Sequence, residues 1–180
     1  LYAVLGKRTG HEQPLVRPAE ERVGVPAAPR TIDVQAEPRD VAQRHVEATA
    51  ETGLRAIVAA DQSFDVAEFL EGAKSAYRMI LEAFWKGDRD TLDWLTDAEV
   101  QSAFAAAIDE RDAAGHTLDN RLVSIERAVI SDATLSSGVA RITVRFDADI
   151  AAVTRDADGQ VVAGSLTDAV KTHDVWTFAR

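Results

Sequence analysis

The stretch VARITVRFDADI, residues 139–150, decides the fold. Ala140, Ile142, Val144, Phe146, Ala148 and Ile150 fall on one side of an extended chain, with Arg141, Thr143, Arg145, Asp147 and Asp149 on the other. Successive side chains of a strand point to opposite faces, so this alternation predicts an antiparallel strand with one buried and one wet face. Around it the pattern continues. Leu122 to Ile130 is a β-rich run and Ser136-Ser137-Gly138 reads as a turn. Asp156-Ala157-Asp158-Gly159 predicts a hairpin turn, and Val161-Val162 starts a return strand. After a polar excursion at 164–168, Val170 to Arg180 closes with His173, Val175 and Thr177 opposite Asp174, Trp176 and Phe178. Because the chain stops straight after this apolar strand, a further strand is expected in the natural protein.

Upstream the period lengthens to that of a helix. Asp65-Val66-Ala67-Glu68 supplies an N-cap and an acid at the third helical position. Phe69, Ala73, Tyr77, Ile80 and Phe84 then recur every three or four residues, widened by Leu70 and Leu81. Lys86 complements the helix dipole and Gly87 is placed to close the helix in the left-handed conformation. Residues 88–95 read as a short helix carrying Trp94. Thr96-Asp97-Ala98-Glu99 reads as a capping box, opening a helix through Val100, Phe104, Ala107 and Ile108 to Gly115. Alanines at 103, 105, 106 and 107 predict a close neighbour against it. Residues 40–62 read as a weaker helix, with Asp40 and Gln43 at its start and Ala42, Val46, Ala50, Leu54, Ile57 and Val58 at helical spacing. Gly53 within it costs about 1 kcal/mol relative to alanine. Helices first and strands after predict an α+β fold, with helices on one face of an antiparallel sheet.

The rest of the chain is different in kind. All five prolines lie in the first 38 residues, and ten of the eleven aromatic residues lie in 64–180. A proline-broken stretch without large apolar groups cannot offset its ordering entropy, so residues 6–38 read as an extended linker. Residues 1–40 hold six basic and six acidic groups, which places the whole net charge of −10 in 41–180. An acidic domain of this kind argues against nucleic acid as a partner. The absence of cysteine excludes disulfides, thiolate metal sites and thiol nucleophiles. The opening LYAVLGKR is apolar and ends on two cations. It reads either as a frayed terminus or as the last turn of a membrane helix flanked by Lys7 and Arg8. Leu1 in place of a start methionine reads as a fragment or a processed form.

Candidate chemistry is sparse. His173 and Asp174 are strand neighbours on opposite faces and do not converge on one metal; His116 is the only other histidine after residue 62. Asp147 and Asp149 share a face at a spacing that fits paired carboxylates, and equally a solvated face with Arg141 and Arg145 as ion partners. Asp156-Ala157-Asp158-Gly159 carries a fragment of a calcium loop without its distal ligands and reads as a turn. No phosphate-cradling glycine loop or serine elbow occurs. These residues imply no catalytic site, no metal and no cofactor, hence a protein that is not an enzyme.

A resemblance rests on SFDVAEFLEGAKSAYRMILEAFWKGDRDTLDWL (63–95), EVQSAFAAAIDERDAAG (99–115), VARITVRFDADI (139–150), TRDADGQVVAG (154–164) and DVWTFAR (174–180). Together they resemble the C-terminal domain of the translocase-of-inner-membrane subunit 44 family, and its bacterial membrane-anchored adaptor branch more than the mitochondrial one. The resemblance implies a nuclear transport factor 2-like cone, with helices on a strongly curved antiparallel sheet and the last strand missing from this fragment. It divides the chain into a juxtamembrane remnant and linker (1–38), a helical extension (39–62) and the domain (63–180). It further implies a non-enzymatic adaptor in protein transport at the cytoplasmic face of an inner membrane, anchored in the full-length protein. The implied partners are a chaperone or membrane protein, and cardiolipin. An apolar groove would be lined by Tyr77, Phe84, Ile142, Phe146, Trp176 and Phe178, the same six residues that also read as plain core. The alternative is a cone-fold small-molecule binding protein or enzyme using His173 and Asp174.

Overall fold

The structure, a computed structural model, describes residues 2–5 and 45–180. The expected linker and the Asp40–Gln43 helix start lie outside the described residues. Three long strands form the frame: β2 (Thr117–Ser136), β3 (Val139–Arg155) and β4 (Val161–Ala179), with a four-residue strand β1 (Tyr2–Leu5) beside β4. The sheet order is β1-β4-β3-β2 and every pairing is antiparallel. Residues 2–5 thus pair with Trp176–Ala179 as an edge strand, which corrects the reading of the opening LYAVLGKR as a frayed terminus or a membrane-helix turn.

The alternation of β3 is realised. Ile142, Val144, Phe146 and Ala148 are buried, and the residues between them are partly or fully exposed. β2 runs well beyond the expected Leu122–Ile130, with three register shifts against β3 that let so long a strand stay paired. The polar excursion in β4 is a wide bulge: Val170 pairs with Ile150 and Ser165 with Ala152, leaving 166–169 opposite Ala151 alone.

Helices α1 (Glu51–Ala60), α2 (Val66–Lys86), α3 (Arg89–Leu95) and α4 (Ala98–Ala113) precede β2. α2 begins at Asp65, whose carboxylate accepts the Glu68 amide at 2.8 Å, and it ends on Gly87 at φ 74°, as expected. Phe64 and Phe69 flank that cap with ring centroids 5.7 Å apart, a hydrophobic staple that fixes the angle of entry. α2 buries Leu70, Ala73, Ala76, Tyr77, Ile80, Ala83 and Trp85. Tyr77 stacks on Phe146 (4.4 Å) and lies 4.8 Å from Trp176, which forms the centre of the core.

Three further expectations need correction. The helix expected over 40–62 is, in its described part, a parallel bridge between Val46 and Ile130, a 3-10 turn at Ala48–Ala50 and then α1. Pairing with the free edge of β2 overrides the local helical period there. Gly53 sits where α1 meets β2, and a Cβ there would land on the carbonyl of Ala133, so glycine permits the close helix–strand contact. The cap of α4 is Asp97, which accepts the Val100 amide at 2.9 Å. Thr96 is buried instead and donates its hydroxyl back to Leu92 O at 2.6 Å. Finally, Ala103, Ala106 and Ala107 are exposed; among the described residues α4 buries only Val100 and Ile108.

Candidate functional site

A depression opens at the end of the sheet where α1 gives way to α2. Its volume is about 570 Å³ and it opens to solvent. Ile57 from α1, the stapled pair Phe64 and Phe69, and Ile142 and Phe178 from β3 and β4 give it an apolar floor. Phe69 meets Phe178 edge-on at 5.9 Å. The chain end forms one wall: Ala140 and Arg180 exchange both backbone hydrogen bonds, at 2.9 and 3.0 Å. Asp61, Asp65 and Glu68 stand at the rim, and the Arg180 guanidinium approaches Asp61 at 3.9 Å. The Ser63 hydroxyl and amide donate to Asp61 at 2.6 and 3.0 Å and hold its carboxyl below the usual carboxylate range. The groove therefore offers an apolar floor under an acidic rim.

Of the six residues expected to line a groove, Ile142 and Phe178 do so. Tyr77, Phe146 and Trp176 are packed on one another beneath α2, and Phe84 is half-buried toward the other end, 5.1 Å from Phe104. Ile57, Phe64 and Phe69 were not expected at the groove. The sequence signal for two of them is the staple, an aromatic pair astride the Asp65 cap.

His173 and Asp174 lie on opposite faces, and no one ligand meets both. His173 is exposed on the wet face, with Nδ1 2.6 Å from Asp147. Asp174 turns inward and accepts the Tyr77 hydroxyl at 2.7 Å. Burial first, and then that hydrogen bond, push the Tyr77 phenol well above its ordinary range. The wet-face ion partners also differ from expectation: Asp147 takes His173, Asp149 takes Lys171 (3.2 Å) and Arg145 reaches Glu47 (2.6 Å). Cross-strand register sets these pairs, since Asp147 lies opposite His173 and Asp149 opposite Lys171. Trp176 Nε1 is buried without a hydrogen-bond partner among the described residues, at a cost of about 1–3 kcal/mol. Among the described residues, no cluster of three or more His, Asp or Glu is placed to hold a metal ion.

Four helices on one antiparallel sheet, with an apolar groove between the helical layer and the sheet end, define an α+β protein of the cone class. Residues 50–180 match the Tim44-like domain family, and the chain belongs to it. Domains of this family have the nuclear transport factor 2-like cone fold and serve in general as non-catalytic, membrane-associated adaptors in protein transport that act through protein partners. No curated protein is found to match the chain. No helix among the described residues is long and apolar enough to cross a membrane.

Proposed function

We propose that this chain is a non-enzymatic adaptor at the cytoplasmic face of a bacterial inner membrane, held there by an N-terminal anchor and seating an apolar segment of a chaperone or membrane protein in its groove. The observation that carries this reading is the open groove of about 570 Å³ with Phe64, Phe69, Ile142 and Phe178 in its floor. Such a volume lies in the range of ligand pockets, and an aromatic floor supplies the buried contact area on which docking segments depend. The acidic rim favours a segment with basic flanks. It disfavours a bare anionic bilayer, so an acyl chain of cardiolipin is the secondary occupant.

The test is a photocrosslinker placed at Phe64 in the membrane-anchored protein, compared with one at exposed Glu110 on α4. A chaperone or membrane protein captured from Phe64 and not from Glu110 supports the reading. Equal capture from both, or none above the unirradiated control, rejects it. Flotation on liposomes with and without cardiolipin separates the lipid claim, and equal recovery from both removes headgroup selectivity.

A further inference from the structure

A second surface lies at the other end of α2, on α3. This helix buries Leu92 and Leu95 and turns Trp94 outward, 74% exposed, the most exposed large apolar side chain among the described residues. Trp94 stacks on no aromatic ring and faces no cation among the described residues. An indole left in water on a rigid, capped helix forgoes burial worth having, and tryptophan is the residue most enriched among energetic anchors of protein interfaces.

Its surroundings state the charge of what would cover it. Asp90 lies one helical turn before Trp94 on the same face, Asp93 is adjacent, and Asp97 and Glu99 follow at the start of α4. Asp90, Asp93 and Glu99 have no ion-pair partner among the described residues. The one cation within 88–99, Arg89, is turned away to Asp109 at 2.7 Å. A ring face with its negative quadrupole, flanked by unpaired carboxylates, attracts a guanidinium or ammonium and repels phosphate. Nucleic acid and anionic lipid are thereby disfavoured.

We infer that Trp94, with Asp90 and Asp93, is a docking site for an arginine- or lysine-bearing segment of a partner protein. A cationic side chain would stack on the indole while its neighbours pair with the carboxylates. The site is separate from the groove, because α2 stands between them and the two share no residue. An adaptor with both surfaces can hold two partners at once.

The experiment titrates the full chain with the synthetic peptide acetyl-(Arg-Leu-Lys-Ala)3-amide and follows tryptophan fluorescence and amide chemical shifts. Saturable binding with shifts centred on residues 89–99 is expected, with no binding of the same peptide carrying Glu at every Arg and Lys. Trp94→Ala should weaken binding about tenfold. The double change Asp90→Asn with Asp93→Asn should weaken it about fivefold and flatten its salt dependence. The pair Glu110→Gln and Asp132→Asn removes the same charge from exposed positions elsewhere and should leave binding unchanged. Circular dichroism melts of each variant should match the parent, since every altered side chain is exposed. Equal weakening by the remote pair, undiminished binding by Trp94→Ala, or shifts confined to the groove would overturn the proposal. None of these outcomes depends on whether the groove binds anything.

Discussion

Two aromatic clusters share the same strands and meet different fates. Phe146 and Trp176 rise from β3 and β4 beneath Tyr77, and the space above them is filled. A few residues along the same two strands, Ile142 and Phe178 rise from the same face beneath the gap between α1 and α2, and the space above them is a groove. Every second residue of β3 from 142 to 148 is apolar, so strand periodicity is identical at the two places. What separates core from site is the layer above. α2 crosses one cluster with its middle, and only its stapled N-terminus reaches the other.

That contrast can be broken at its strongest point. Phe146→Ala should cost about 3–5 kcal/mol in urea denaturation, since a large void opens among rings that have no room to collapse. A cost under about 1 kcal/mol would show that this cluster is no better packed than the groove. At the groove, Phe64→Ala should cost about 1 kcal/mol, because the ring is only half-buried and its chief structural task is the staple. The same change should also lower the binding of an apolar fluorescent probe, which Phe146→Ala in the folded protein should not. The gentlest test is alkaline titration followed by phenolate absorbance. The Tyr77 pKa is raised in the folded state, so the stability it contributes is complete below the unfolded value near pH 10 and is lost as pH rises toward the folded value. Tyr77 should therefore ionise only together with unfolding. A reversible phenolate signal from Tyr77 near pH 10 in the folded chain would mean that the core cluster is wet.

Much of this architecture is legible in the chain itself. Asp65, Lys86 and Gly87 mark the ends of α2, the alternation over 139–150 marks the paired faces of β3, and the family's pattern reports the fold class. The sheet edge is not legible, because Val46 fits a helical period as well as it fits a bridge to Ile130, and only the third dimension chooses. Thr96 and Asp97 are adjacent cap formers, and the burial of Thr96 decides between them. The helix α4 does meet β1 and α3, yet Ala103, Ala106 and Ala107 stay exposed, so a run of small residues does not say which of them face a neighbour. The groove is hardest of all. Its floor draws on α1, the α1–α2 loop, α2, β3 and β4, and a gap between elements leaves no period in any of them. Trp94 escapes for a related reason, since a seven-residue helix is too short for its pattern to say which side faces out.

The stitching of residues 45–53 onto β2 has a mechanical consequence. Glu47 N–H donates to Ile130 O and Ile130 N–H to His45 O, both at 2.8 Å, while Thr49 bonds Ser131 O at 2.7 Å. Glu47 also reaches across to Arg145 on β3, and Gly53 seats α1 against Ala133. A pull entering at His45 and directed along β2 therefore loads these bonds together, in shear, instead of peeling them one after another. The tension passes into the sheet at β2 before it reaches α1 or the groove.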